Sequence, residues 1–515
     1  EYGPPDVQAV CLGAVVGLLQ STDYGPPDAL QVEFTLAGRA ALAIMVWMAL
    51  WWLTEAVHIS VTALLPLVLF PLCGVTTMDE AAAPYADKLI FLFFGGFMLA
   101  LAMQRWGLDK RIALMTLNRI GAEPARMIGG FMLVTAVLSA FVSNTATTAL
   151  MLPIALSVIA LVQGKASGED DAADGIPADD RYNTNGNFGL CLLLCIAYAA
   201  SIGGATTLIG TPTNAVLVGF LKDKIEEPYR IDISMADWLK FGLPLAMVFL
   251  PLVWLLMTRV VYPVSNLKIA GAKELIRDRL AGLGRINRGE RTTFIIFLFA
   301  AAAWISRRWL QAITLPIGDG VQPFAALSDT GIAMLAAVAL FVTPVNFQKM
   351  EFTLDWETAR KAPWGIIILI GGGLSLAAAV KQTGVAEFIG YQATYFAGAP
   401  TIVIVLVVCA AVSFLTELTS NVATTATLVP VLAALAPGLG LHPYWLIFPA
   451  TLAASYAFML PVATPPNAIV FGSGEVTIAQ MAKAGLWLNL IGILVITALT
   501  MLLIGPLLGI SSAAP

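Results

Sequence analysis

The residues best suited to chemistry sit where water should be scarce. Ser143-Asn144-Thr145-Ala146-Thr147-Thr148-Ala149 lies in the middle of the apolar run Met127–Leu161, and five of its seven side chains carry hydrogen-bonding groups. It recurs as Ser420-Asn421-Val422-Ala423-Thr424-Thr425-Ala426 inside Ile402–Leu435, 277 residues on (420 − 143). Each copy ends in a proline at the same spacing, Pro153 and Pro430. Two further apolar runs are interrupted, by Gly210-Thr211-Pro212-Thr213-Asn214 and by Thr464-Pro465-Pro466-Asn467. Hydroxyls, amide oxygens and carbonyls freed by a break in a helix are hard oxygen ligands for a small cation. Half-helix N-termini with Asn and Thr donors suit a carboxylate or another oxyanion. None of the four stretches contains Lys, Arg or His. An anion held there needs bound cations and dipoles to balance its charge, which is a physical reason for coupling the two. Packing between helices is the plainer use of Ser, Thr and Asn in lipid. Duplication at fixed spacing argues against it.

Other chemistry is thinner. Cys191 and Cys195 lie one helical turn apart with no third ligand near, so they read as small core residues. The two histidines, His58 and His442, are 384 residues apart (442 − 58), near segment ends, and suit interfacial positions. No metal pair of the His-Glu-x-x-His kind, catalytic Asp pair or Ser-Lys or Ser-His dyad stands in an apolar run, so the chain is not expected to be an enzyme. Glu55 lies in an apolar run, where it either caps or pairs locally or relays a proton. Glu417, beside Thr416, either accepts from backbone donors or tunes cation binding. Trp47, Trp51 and Trp52 suit lipid or dimer packing.

The elements that must position these residues follow from composition. Of 515 residues, 58% are hydrophobic and only 12% charged, with mean hydropathy +0.83. A soluble domain carries about 25% charged residues, so lipid is the natural solvent for the rest. Many apolar runs approach the ~20 residues of a spanning helix. They lack the alternation of a barrel strand. The fold expected is an all-α polytopic membrane protein. The net charge of −5 carries no nucleic-acid signal. Glu1 is followed by no basic n-region, so no cleavable signal peptide is read.

In order, helices are expected at Val7–Leu19, Leu36–Leu53, His58–Leu72 (broken by Pro66 and Pro71) and Leu89–Met103. An interrupted run Met127–Leu161, an acidic loop Gly164–Asn187 and a broken run Phe188–Leu221 follow. Then come Trp238–Val261, a basic connector Lys268–Arg291, and spans at Thr292–Ile305, Thr330–Val342 and Trp364–Val380. Ile402–Leu435, Tyr444–Phe471 and Leu486–Leu508 close the chain.

The repeat extends beyond the Ser-Asn motif. Gly95-Gly96 maps onto Gly372-Gly373 at the same offset, and Thr211…Asn214 onto Thr464…Asn467 at an offset of 253 (464 − 211). The division expected is an N-terminal helix (1–37), repeat 1 (38–262), a basic cytoplasmic connector with a linking helix (263–327) and repeat 2 (328–515). Arg105–Arg126 holds five Lys/Arg, whereas its counterpart Lys381–Pro400 holds Lys381 alone. The positive-inside rule places the first in the cytoplasm and the second outside. The repeats are therefore expected to be inverted, as in secondary transporters with a midplane site made by broken helices. Each Ser-Asn stretch either tips a re-entrant helical hairpin (127–161 and 402–435) or joins two full spans. A tip without charge is a poor surface loop, which favours the hairpin. The broken helices are 188–221 and 444–471.

The paired Ser-Asn-Thr and Ser-Asn-Val motifs, Trp52-Leu53-Thr54-Glu55-Ala56 and the two Thr-Pro-x-Asn breaks resemble the divalent-anion:sodium symporter family, the INDY-type di- and tricarboxylate transporters. The likeness runs in matching order from Leu36 onward. It implies a multi-pass protein of a bacterial plasma membrane, a homodimer in lipid, and an elevator mechanism in which a transport domain holding both hairpins moves against a scaffold. It implies sodium ions as coupling cations, held by Ser139, Ser143, Asn144 and Gly210 in one site and Thr416, Thr419, Asn421 and Ala463 in the other. It implies a di- or tricarboxylate bound by Asn144, Thr145, Thr211 and Pro212 and by Asn421, Val422, Thr464 and Pro465. C4-dicarboxylates such as succinate, malate or fumarate are the expected substrates. A cation-independent exchanger and a tricarboxylate or sulfate carrier are the alternatives. Val422 departs from the pattern, which has Thr there.

Overall fold

The computed structural model describes residues 35–119, 123–166, 178–223, 225, 229–231, 233–264, 272–314, 322–393 and 398–510. The helix expected at Val7–Leu19 and the middle of the acidic loop lie outside them. Among the described residues, eight helices are long and apolar enough to cross a bilayer. They are built from Leu, Ile, Val and Ala runs, and polar caps start several of them. Thr35 Oγ1 accepts from Gly38 N at 3.1 Å and Asp87 Oδ1 from Leu89 N at 2.8 Å. Capping boxes open Met235–Leu256 (Ser234, Asp237) and Ile478–Leu508 (Thr477, Gln480). Gly107 and Gly509 end helices in the left-handed region, which Gly enters without penalty.

These caps explain why helices outrun the apolar runs. Leu89–Met103 becomes Lys88–Trp106 and Thr292–Ile305 becomes Arg288–Gln311. The acidic loop shortens too, because helices reach Ala166 and restart at Ala178. His58–Leu72 breaks at Ala63–Leu64 rather than at its prolines: Pro66 sits in the first turn of Leu65–Leu72, where its missing N–H costs nothing, and Pro71 in the last. Among the described residues, one antiparallel ribbon, Pro344–Asn346 with Glu351–Phe352, is the departure from an all-helical chain.

Each half has the same order of elements. A Gly-Gly helix (Lys88–Trp106; Trp364–Gln382) leads to a short helix (Leu108–Leu117; Val385–Ala393). Next comes a helix pair (Pro124–Ser139 with Asn144–Ala166; Thr401–Leu415 with Asn421–Gly438). Then follow a broken helix (Ala178–Gly204 and Pro212–Asp223; Tyr444–Ser455 and Pro465–Phe471) and a long helix (Met235–Leu256; Ile478–Leu508). The halves interlock reciprocally. A Cβ on Gly95 would lie 2.6 Å from the Ala333 backbone, and one on Gly372 would overlap the Ala63 carbonyl. Each half's Gly-Gly helix thus packs on the preceding helix of the other.

The helices form two groups that pack mainly among themselves. One holds Leu36–Thr54, Ile59–Leu72, Lys88–Trp106, Arg288–Gln311, Asp329–Val342 and Trp364–Gln382. The other holds both pairs, both broken helices and the two long helices. Trp52 is fully buried within the chain and its Nε1 donates to Ile59 O at 3.1 Å, so it faces neither lipid nor a partner. Trp47 and Trp51 meet edge to face, 5.2 Å between centroids.

Candidate functional site

The two Ser-Asn stretches meet. Ser143–Ala146 and Ser420–Val422 line one cavity of about 790 Å3. The breaks Ile209–Thr213 and Pro461–Pro466 line it as well. Of the residues expected to hold anion or cation, Ser143, Asn144, Thr145, Gly210, Thr211, Pro212, Asn421, Val422, Ala463, Thr464 and Pro465 all reach this cavity. The wall opposite comes from the other helix group: Gly96, Phe97, Ala100, Leu101 and Gln104, with Glu55, Ile59, Lys361, Pro363 and Ile366.

Helix starts explain the arrangement. Asn144, Pro212 and Asn421 are first residues of helices, and the seven-residue helix Pro465–Phe471 starts beside them. First-turn N–H groups of the helices beginning at Asn144 and Asn421, and the positive ends of helix dipoles, therefore gather around the cavity, which favours an anion. At Pro465–Phe471 two prolines lack the N–H and Asn467 N is taken by Thr464 Oγ1. Pro at the first position of two of these helices removes only an N–H that had no partner anyway.

Ser139 and Thr416 sit behind the tips. Both are buried, and their distance in sequence is again 277 (416 − 139). Ser139 Oγ lies 2.6 Å from Asn144 Oδ1 and 2.8 Å from Ala200 O; Thr416 Oγ1 lies 2.7 Å from Asn421 Oδ1 and 3.1 Å from Ala454 O. The hydroxyls thus orient the two Asn amides while tying each pair to its broken helix. Ser143 Oγ accepts from Ala146 N at 3.3 Å, as a helix cap. Thr419 Oγ1 donates to Leu415 O at 2.9 Å and stands 2.7 Å from Thr424 Oγ1, so that hydroxyl is engaged within its own pair.

The first half-site gathers oxygen atoms around two glycines. A Cβ on Gly210 would overlap the Gly204 carbonyl oxygen and lie 2.9 and 3.0 Å from those of Ala140 and Ser139. A Cβ on Gly204 would overlap Asn144 Oδ1. The two glycines thus let three carbonyl oxygens and one amide oxygen pack directly against the backbone here. Such oxygens suit a hard cation, which would balance the anion that the tips lack a basic residue to hold. In the second half Ala463 stands at the position of Gly210 and also lines the cavity.

The unwound stretches are held by the asparagines of the two Thr-Pro-x-Asn breaks, which are not among the residues expected to bind anion or cation. Asn214 Nδ2 donates to Ala205 O and Thr207 O at 3.2 and 2.8 Å; Asn467 Nδ2 donates to Ala457 O and Leu460 O at 3.2 and 3.0 Å. Their repetition inside Thr-Pro-x-Asn was the available signal. Elsewhere the halves differ. Thr207 Oγ1 donates to the Ala140 carbonyl and accepts from Gly210 N at 3.1 Å. Position 417, the counterpart of Ala140, is Glu. Its carboxylate accepts from Phe458 N (2.7 Å), Met459 N (3.0 Å), Leu460 N (3.0 Å) and Asn489 Nδ2 (2.7 Å). Of the two roles open to Glu417, the structure displays backbone anchoring.

Glu55 caps Leu36–Thr54 in the left-handed region, φ 49°, and lines the cavity. His58 and His442 lie outside it; each ring accepts at Nδ1 from a backbone N–H two residues on, at 3.3 Å. His442 is buried rather than interfacial. Cys191 and Cys195 are buried thiols 3.9 Å apart.

The model of the sodium:sulfate symporter transmembrane region matches residues 29–510. The chain belongs to that family. The divalent-anion:sodium symporter resemblance of the motifs therefore holds. Among relatives in the family, a sodium-dependent dicarboxylate transporter, SdcS, of Staphylococcus saprophyticus is 41% identical over 482 residues, 93% of this chain and 88% of that one. Its namesake from Staphylococcus aureus is 39% identical over 508 residues, 98% and 92% of the two chains. Two solved structures share the fold. MtrF of Neisseria gonorrhoeae, described as an antimetabolite efflux pump, has TM-score 0.60 at 12% identity, covering 97% of this chain and 95% of its own. The YdaH transporter of Alcanivorax borkumensis has TM-score 0.59 at 15% identity, covering 99% and 100%. The chain is a multi-pass membrane protein.

Proposed function

We propose that the protein is a sodium-coupled symporter of C4-dicarboxylates such as succinate, malate or fumarate, in a bacterial plasma membrane. The observation that carries this reading is the single cavity where two Ser-Asn tips and the helix starts converge without a basic side chain at either tip. The names of the two staphylococcal relatives support both the cation and the substrate class. One carboxylate meets Asn144, Thr145, Thr211 and Pro212; the other meets Asn421, Val422, Thr464 and Pro465. One sodium ion takes the cradle of Ser139, Ser143, Asn144 and Gly210. The second takes Thr416, Thr419, Asn421 and Ala463. The two Asn residues belong to both sets, so the ions order the groups that the anion needs, and the anion's charge stabilises the ions. That reciprocity is the coupling.

The repeats are inverted and the pairs are re-entrant hairpins. The reciprocal contacts of Gly95 with Ala333 and Gly372 with Ala63 support a two-fold relation between the halves. The helix group with both hairpins carries the cargo, and the other group, the scaffold, forms the homodimer. On the positive-inside reading, Glu55, Gln104 and Lys361 stand on the cytoplasmic side, so the cavity opens inward. Titration calorimetry of succinate against purified protein tests the binding step. Heat of binding should appear in sodium and vanish in choline. Equal binding in both would overturn the coupling.

A further inference from the structure

We propose that Lys361 is a specificity residue that acts on one side of the membrane only, receiving one carboxylate of the dianion as it passes between cytoplasm and tips. This rests on the elevator reading above. Among the described residues lining the cavity, Lys361 is the one basic side chain. It belongs to the scaffold wall, not to the tips. Its backbone is fixed by short turns: Lys361 N donates to Thr358 O at 3.1 Å and Ala362 N to Ala359 O at 3.0 Å. That segment is fastened to the end of the Lys88–Trp106 helix, where Arg105 meets Asp355 at 2.8 Å and Trp106 Nε1 donates to Thr353 O at 2.7 Å.

The charges around Lys361 are spent on one another. Arg105 pairs with Asp355, and Arg360 with Glu357 at 2.8 Å. Among the described residues, no acid lies within ion-pair distance of Lys361, and its side chain is exposed. Glu55 is the one acid of the lining among the described residues, so the mouth as a whole is not a diffuse positive field. Lys361 acts instead as a point charge on a flexible four-carbon stem, free to reach a carboxylate. Because it sits on the scaffold, it faces the tips only when they stand at this end of their travel. A substrate arriving from the other side meets a different wall. The effect of Lys361 is therefore asymmetric, which a residue needed only for folding would not produce.

Proteoliposomes sorted by orientation test this. KM for succinate is measured from the cytoplasmic and the external face in the wild type, Lys361→Gln, Lys361→Glu and Lys361→Arg. The cytoplasmic KM should rise about tenfold in Lys361→Gln and further in Lys361→Glu, with external KM unchanged and Lys361→Arg close to wild type. Raised salt should erase the difference between wild type and Lys361→Gln. Unchanged KM on both faces, or equal shifts on both, overturns the assignment. Wild-type vesicles that show no sodium-driven uptake overturn the transport reading itself, and are told apart because they fail before any substitution is made.

Discussion

Asn144 and Asn421 are each oriented by a buried hydroxyl, Ser139 and Thr416, and on the proposed function each serves two ligands from one amide. Removing either amide deletes a ligand of the cation and a donor to the carboxylate together. A hydrogen bond to a charged group contributes about 1.5–3 kcal/mol. Asn144→Ala and Asn421→Ala should therefore each lower uptake by about a hundredfold or more, while the elution profile in detergent stays that of the wild type. Normal uptake in either variant removes that residue from the site. Val422 is where the tips diverge from one another. Val422→Thr adds a hydroxyl donor on one side and should shift the order in which succinate, malate, fumarate and citrate compete for uptake, by about tenfold for at least one. An unchanged competition series means that this position does not read the anion. Much of this scale was legible, because Ser143 with Ser420 and Asn214 with Asn467 recur at fixed offsets. Ser139 and Thr416 became visible only through the family resemblance. Lys361 and Glu55 were not legible as cavity residues, since nothing local in sequence shows that two separate turns will face the tips.

At the scale of elements, glycine sets how closely the helices meet. Ala178–Gly204 touches the backbone of Pro124–Ser139 through Gly203, where a Cβ would overlap the Ala136 carbonyl. In lipid such contacts replace the hydrophobic drive between helices. Gly203→Ala must push the two apart and should cost about 1–3 kcal/mol, read as a lower melting temperature by scanning fluorimetry. Gly282→Ala is the control, because nothing lies within 4 Å of a Cβ there. An equal loss in both variants would mean that close approach is not the cause. The buried pair of Arg111 and Glu290, 3.1 Å apart and 7% and 5% exposed, fastens the short helix Leu108–Leu117 to the connector. Glu290→Ala strands a buried guanidinium and should cost about 3–5 kcal/mol; a melting curve like the wild type's contradicts that. Apolar runs located nearly every helix but missed their ends, because caps such as Asp87 and Asn287 lie outside the runs. The break in Ile59–Leu72 was misplaced for a related reason: a proline in the first or last turn does not interrupt a helix.

The whole molecule is two interlocked halves whose tips meet on one side of a wall. Away from Lys361 the groups meet through an ion pair, with Asp237 of the group that holds the tips 2.6 Å from Arg308 of the other group. If the groups slide, this pair must part in every cycle. A short bis-thiol-reactive linker across Asp237→Cys and Arg308→Cys should stop uptake, whereas either single variant treated alike should continue. Uptake persisting in the linked protein contradicts sliding. Light scattering of the purified protein should return twice 54.5 kDa for the homodimer. Internal repetition was readable at this scale, but the reciprocal packing of Gly95 and Gly372 was not, since each touches the half it does not belong to. The coupling itself is tested most directly by labelled succinate uptake into proteoliposomes, with and without an inward sodium gradient. Accumulation above equilibrium should occur with the gradient and cease when choline replaces sodium. Uptake indifferent to sodium would contradict the account.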